Sequence, residues 1–164
     1  MSSPEASKTW LSQEAYDRLQ AELDELIAAR PTVAAEINAR REEGDLRENG
    51  GYHAAREEQG KQEGRIQYLK EFLRNAEVGD APTANEVAPG TVVTIYFDDD
   101  QSDTETFLLG SREIAATTDL TVYSPESALG KAILGAGPGQ TVTYTAPSGS
   151  DIKVTVVTFQ PFGG

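Results

Sequence analysis

The 164-residue chain contains no cysteine, one histidine and one methionine, the latter at position 1. Without thiols there can be neither disulfides nor thiolate metal sites, and a single imidazole is too few for a histidine-based zinc centre. No apolar run approaches the roughly 20 residues that a bilayer-spanning helix needs, and Met1 to Lys8 lacks the apolar core of a secretion signal. A soluble, cytoplasmic protein with no membrane contact is expected. Basic residues are also scarce: 14 Lys and Arg stand against 27 Asp and Glu, for a net charge of −13. They are unevenly spread. Residues 1–80 hold 11 of the 14, mixed with 17 acids, whereas residues 81–164 have only Arg112, Lys131 and Lys153 against ten acids. Nucleic-acid affinity rests on phosphate neutralisation, so such a chain repels DNA and RNA overall. Any RNA contact must be local, near Arg40, Arg41, Arg47, Arg56, Lys61 and Arg65, or made inside a complex. Spacing alone favours an ordinary solvated helix face for those residues.

What is present is a pair of matched helical patterns. Tyr16, Leu19, Leu23, Leu26, Val33 and Ile37 recur at steps of three, four and seven, and Tyr52, Ala55, Gln59, Gln62, Ile66, Leu69, Leu73 and Ala76 repeat them. Two stripes of similar length around a short glycine-containing turn read as an antiparallel coiled-coil hairpin over residues 10–78. Matched arms favour a pairing within one chain over a dimeric coiled coil, so a monomer is expected. Ser12, just ahead of Glu14 and Ala15, can cap a helix that starts near residue 12. Pro31 lacks an N–H, so the first arm should be broken or kinked near Arg30; the stripe resumes in phase, so the two pieces should stay roughly collinear. Residues 12–43 would then extend about 45–50 Å. Gln59 and Gln62 should leave the pairing weaker toward the turn than at the base.

The turn, residues 44–52, carries Asp45 and Glu48. Two carboxylates three residues apart can face the same way, and Mg²⁺ prefers such oxygen ligands together with waters and phosphates. Alone they would hold Mg²⁺ weakly. Against a phosphodiester that already bears one metal, they could hold a second and orient an attacking water, as two-metal hydrolysis requires. A helix cap is the other reading of the same pair, with Asp45 accepting from backbone N–H groups and Glu48 reaching back, and spacing alone favours it. Gly44 fits the end of the first arm. Asn49-Gly50-Gly51 reads as a turn, Tyr52 as a packing residue and His53 as a solvated helix residue.

Residues 79–90 lose periodicity, carry two Pro and two Gly, and read as a linker. Residues 1–9 read as a disordered N-terminus. Beyond the linker the pattern changes to strands at Thr91–Phe97, Thr104–Leu109, Leu120–Tyr123, Thr141–Thr145 and Ile152–Phe159, with one short helix over Ser127–Leu134. A small, mostly antiparallel sheet folded over that helix is expected for residues 91–164, so the fold class is α+β. Nothing there looks catalytic, since its acids lie in turns and there is no histidine to act as a base. The Tyr123-Ser124-Pro125 corner can serve as a docking surface or simply as a turn.

The string Gly-Asp-Leu-Arg-Glu-Asn-x-x-Tyr-His-Ala-Ala-Arg-Glu-Glu-Gln-Gly over residues 44–60 closely resembles the signature of the bacterial GreA/GreB family of transcript cleavage factors. The resemblance continues through Leu19 to Leu26, Gly64-Arg65-Ile66, Asn75-Ala76, Ser124-Pro125 and Leu129-Gly130, and covers about residues 10–158. In its acidic balance the chain is closer to the GreA branch. The resemblance implies an N-terminal coiled coil and a C-terminal FKBP-like domain that docks on bacterial RNA polymerase. The coiled coil would enter the secondary channel and stimulate the polymerase's own cleavage of the extruded 3′ end of backtracked nascent RNA. The factor itself would not be an enzyme.

By motif position, Asp45 and Glu48 match the acidic pair that shares Mg²⁺ with the polymerase and acts in the cleavage. Arg41, Tyr52 and Arg56 match positions that meet RNA or polymerase near the tip, and Ser124 and Pro125 match a docking loop. Gly50 and Gly51 depart from the Ala and Glu of many relatives, which removes one negative charge and loosens the start of the second arm. The family also includes channel-binding members that inhibit polymerase without promoting cleavage. The FKBP-like fold by itself would suggest a prolyl isomerase, an activity not expected here.

Overall fold

A computed structural model describes residues 8–44, 48–79 and 85–163. Two compact units are present. One is Asp17–Asn75; the other joins the described residues up to Tyr16 with those from Ala76 onward.

The helices follow the predicted stripes. Helix α1 spans Gln13–Ala28, and Ser12 caps it, its Oγ accepting the Ala15 N–H at 3.2 Å. Helix α2 is Arg30–Arg41 and α3 is Gly50–Arg74. The expected break at Pro31 is slight. Ala29 between α1 and α2 keeps helical angles (φ −79°, ψ −12°), its N–H bonds to Glu25 O, and its own carbonyl receives the Val33 N–H. The proline thus removes one donor while the turns on either side carry the axis through.

Leu19, Leu23 and Ile37 from the first arm and Ile66, Leu69 and Leu73 from α3 are buried, whereas Gln59 and Gln62 are only half-buried. Two forked ion pairs fix the antiparallel register. Arg65 binds Glu22 through Nε–Oε2 at 2.6 Å and Nη2–Oε1 at 3.0 Å, and Arg30 binds Glu63 through two bonds of 2.9 Å. The Arg65 hydrogen bond holds the Glu22 carboxyl below the usual range. Toward the turn, small residues on α3 (Gly51, Ala54 and Ala55) face Val33, Ile37 and Arg40 across a shallow groove.

In the second unit, β3 (Thr91–Phe97), β4 (Thr104–Leu109), β5 (Thr121–Tyr123), β6 (Thr141–Thr145) and β7 (Asp151–Pro161) form one sheet in the order β5-β4-β3-β7-β6. The short helix α4, Ala128–Ile133, is capped by Ser127. Val93 and Ile95 alternate inward on β3 and meet Phe107, Leu109, Val154, Val156, Leu129 and Ile133 in the core. The α+β class expected from the sequence is the class observed.

The structure adds to the expected pattern in three places. First, β4 and β5 run parallel, unlike their antiparallel neighbours. Parallel neighbours need a crossover, and a 3₁₀ helix at Arg112–Thr117 supplies it, with Ile114 buried and the Ser111 side chain capping its start.

Second, two three-residue strands, β1 (Thr9–Leu11) and β2 (Ala76–Val78), pair in parallel and belong to the sheet-containing unit. Trp10 anchors this ribbon: its Nε1–H donates to Gly79 O at 3.2 Å, and its ring meets Phe162 edge-on at 6.0 Å. Residues 1–7 of the segment expected to be disordered lie outside the described residues.

Third, the far end of the stretch read as a linker contributes to the sheet core. Val87 is 1% exposed, its N–H bonds to Ala136 O and its carbonyl receives the Gly135 N–H, both at 2.8 Å. The glycine and proline content marked the turn before β3 but concealed the single apolar anchor.

Candidate functional site at the hairpin turn

Helix α2 delivers Arg40 and Arg41 in its last turn, where positive charge complements the partial negative charge of a helix C-terminus. Glu42 closes the helix, its N–H bonding to Asn38 O, and the Glu43 N–H bonds to Arg40 O at 3.2 Å. Gly44 then adopts φ +151°, a backbone region that favours glycine, and so ends the arm as its sequence position suggests. Asp45 of the expected acidic pair lies outside the described residues, together with Leu46 and Arg47.

Glu48 is exposed in the turn that leads into α3, and its carbonyl receives the Gly50 N–H at 3.1 Å. The cap of α3 is Asn49. Its Oδ1 accepts the Tyr52 N–H at 2.9 Å, and its Nδ2 donates back across the turn to Arg40 O. Glu48 therefore precedes the cap and cannot be the third residue of a capping box. The capping alternative raised by the sequence is corrected for this residue: Asn49 has taken that work. Asn is among the best N-cap residues, so the sequence carries this signal, next to glycines that read equally well as a turn.

Three further residues surround the turn. The Arg41 guanidinium lies over the Tyr52 ring, 5.7 Å from its centroid, and that ring meets His53 edge-on at 5.5 Å. Tyr52 is thus half-buried beneath a cation, which fits the packing role read from the sequence. Arg56 lies one turn further along α3, exposed, with Nη1 bonded to Gln59 Oε1 at 3.1 Å. Glu48, Arg41 and Tyr52 are therefore gathered at one turn, and Arg56 follows on the same helix.

Among the described residues no group of three or more His, Cys, Asp or Glu could hold a metal ion. An exposed carboxylate at Glu48 is the kind of hard oxygen ligand Mg²⁺ accepts, but it supplies only part of an octahedron.

Ser124 and Pro125 belong to the other unit. Their corner is closely tied: Ser124 Oγ accepts the Glu126 N–H at 3.0 Å, and Ser127 Oγ donates to Ser124 O at 2.6 Å while accepting the Gly130 N–H at 3.0 Å. Gly130 is required for this approach, since a Cβ there would lie 2.1 Å from Ser124 O. Beside it, Tyr123 donates its hydroxyl to Glu105 at 2.8 Å.

The whole chain has close relatives. The family profile for "Transcription elongation factor, N-terminal" matches residues 9–78, and that for "Transcription elongation factor, GreA/GreB, C-term" matches residues 81–161. Transcription elongation factor GreA of Mycolicibacterium smegmatis is 62% identical over 158 residues, covering 95% of this chain and 96% of that protein. The same-named proteins of Rhodococcus erythropolis (59% over 160 residues, 96% and 98% covered) and Mycobacterium tuberculosis (58% over 156 residues, 94% and 95% covered) are similar throughout. No described helix is long and apolar enough to cross a membrane. With both of its halves matched and relatives this similar over nearly its full length, the chain belongs to the GreA/GreB family of transcription elongation factors.

Proposed function

We propose that this elongation factor lends the acidic turn of its hairpin to the active centre of RNA polymerase and so stimulates cleavage of backtracked RNA. The observation that carries the reading is Glu48, an exposed carboxylate released from capping by Asn49 and held at the turn between two helices. Helix α3, at 25 residues, extends about 37 Å, long enough to reach down a channel toward a buried catalytic centre. Overall negative charge argues against independent nucleic-acid binding, so the contact with RNA belongs inside the polymerase complex.

Within that complex Glu48, with Asp45, would contribute carboxylate oxygens to a Mg²⁺ ion shared with polymerase. When bound, such an ion polarises a phosphoryl oxygen and makes an attacking hydroxide available near neutral pH. The protein's own work is to bring those oxygens to the site and hold them at a fixed angle. Arg41 and Arg56 supply positive charge beside the turn for the RNA 3′ end or the channel wall, and Tyr52 supports Arg41 from below. The tied corner at Ser124 and Pro125 is a rigid surface for docking on polymerase. The factor is an accessory and not itself a nuclease: it acts as a cytoplasmic monomer whose partners are polymerase and the nascent RNA.

The test is RNA fragment release from purified, backtracked polymerase. The wild-type chain should release short 3′ fragments with polymerase present and none from free RNA. The double substitution Asp45→Ala, Glu48→Ala should abolish stimulation while still binding polymerase. Undiminished cleavage by the double variant would refute the metal role, and slowed elongation without fragment release by the wild-type chain would mark an inhibitory factor.

A further inference from the structure

We infer that Asn49 is a positioning residue for the carboxylate of Glu48, acting by tying the end of the first arm to the start of the second. This rests on the function proposed above and goes beyond it. The side-chain amide of Asn49 has a donor face and an acceptor face, and the turn uses both. Oδ1 faces the Tyr52 N–H, one of the donors left over at the start of α3, and Nδ2 faces Arg40 O at the end of α2, a carbonyl that also accepts the Glu43 N–H. Turning the amide over would set donor against donor and acceptor against acceptor, so its orientation is fixed.

The consequence falls on Glu48. It lies between the two tied points and adjoins Asn49 directly, and its own carbonyl is engaged by Gly50 N–H. One planar group thereby removes the freedom of two helix ends to splay. The path of the chain through Glu48 is set by that bond across the turn as well as by the helix cap. Gly50 and Gly51 follow at once and resist bending poorly, which makes the bond across the turn the stiffer element here. A carboxylate that must meet an ion held by another molecule loses rate steeply with misplacement, on the order of a hundredfold per ångström.

Two substitutions separate the cap from the tie. Asn49→Ser keeps a good N-cap but is too short to reach Arg40 O. Asn49→Asp also keeps the cap, but places an oxygen where the donor was. Fragment release from backtracked polymerase is measured at saturating factor, along with the factor concentration for half-maximal rate and helix melting by circular dichroism. The expected result for Asn49→Ser is unchanged melting, a half-maximal concentration within about twofold of wild type, and a maximal rate lower by about tenfold or more. Asn49→Asp should lose at least as much.

Glu48→Ala runs alongside. If it abolishes release while Asn49→Ser cleaves at the wild-type rate, the positioning role is wrong and the function proposed for the turn stands. If Glu48→Ala cleaves normally, that function is wrong and the role of Asn49 goes with it. Parallel losses of melting temperature, polymerase affinity and rate in Asn49→Ser would make Asn49 a purely structural cap, which also overturns the inference.

Discussion

Arg30 grips Glu63 with two parallel hydrogen bonds of 2.9 Å, one residue before the proline that takes a donor out of the first arm. Together with Glu22 and Arg65 it forms a pair of clamps across the hairpin. All four side chains are substantially exposed, so the clamps serve register more than stability and must weaken in salt. Glu22 is held below the ordinary carboxylate range, so its contribution is present above that range and fades as pH falls through it. Circular dichroism melts should show a modest loss of hairpin stability on acidification below about pH 4. Arg65→Met should flatten that dependence. A variant with the full acid sensitivity of wild type would show that the Glu22 clamp does not contribute.

Gly60 and Gly64 lie on the exposed side of α3, and a Cβ at either would meet no atom within 4 Å. Each costs the helix backbone entropy with no packing return. Gly60→Ala and Gly64→Ala should each stabilise the hairpin by about 1 kcal/mol, read as a higher melting temperature. A lower one would mean that this face is closely approached.

Gly130 is the opposite case. An added Cβ would fall 2.1 Å from Ser124 O and 3.0 Å from Pro125 Cα, both backbone atoms that cannot swing aside. Gly130→Ala should destabilise the sheet unit by about 3 kcal/mol. The sole tryptophan, Trp10, lies in that unit against Phe162, so its fluorescence reports the unfolding. An unshifted denaturation midpoint would show that the corner yields easily.

The hydroxyl of Tyr123 should titrate late. Its hydrogen bond to the Glu105 carboxylate, helped by burial, pushes the phenol up to about 12. Because the folded value is raised, the bond stabilises fully below the ordinary phenol value near 10 and is lost as pH climbs through about 12. Ultraviolet titration should show fewer phenolates near pH 10 than the six tyrosines would give if all were free, because Tyr123 is delayed and Tyr144 is delayed by its burial. Tyr123→Phe should remove the latest step. A wild-type titration with all six ionising together would contradict the contact.

How much of this was legible beforehand depends on how much pattern each element carries. The strands Thr91–Phe97, Thr104–Leu109 and Thr141–Thr145 were legible to the residue, because runs rich in β-branched and aromatic residues end abruptly in Asp, Gly or Pro clusters. The helical arms were legible because their stripes run for many turns, and Ser12 announced the cap of the first. Thr9–Leu11 and Ala76–Val78 were not, since three residues carry no periodicity and their pairing joins segments far apart in the chain. Nor was the parallel β4–β5 pair, because direction is decided by a crossover that local sequence does not encode.

At the turn, the residue types at Glu48, Arg41 and Tyr52 were readable, whereas Asn49 read only as part of a turn and its role as the cap of α3 emerged from the structure. The second use of Asn49 was not readable either, because it exists only once Arg40 O has been brought across the hairpin.

The most direct measurement is the rate of RNA fragment release from a backtracked polymerase saturated with Glu48→Gln, a substitution that keeps shape and removes charge. Competition against the wild-type chain confirms that the variant fills the polymerase. The account predicts full occupancy with most of the stimulated cleavage gone, because an amide oxygen is a far poorer partner for a shared divalent ion than a carboxylate. Wild-type cleavage by the occupied complex would contradict it.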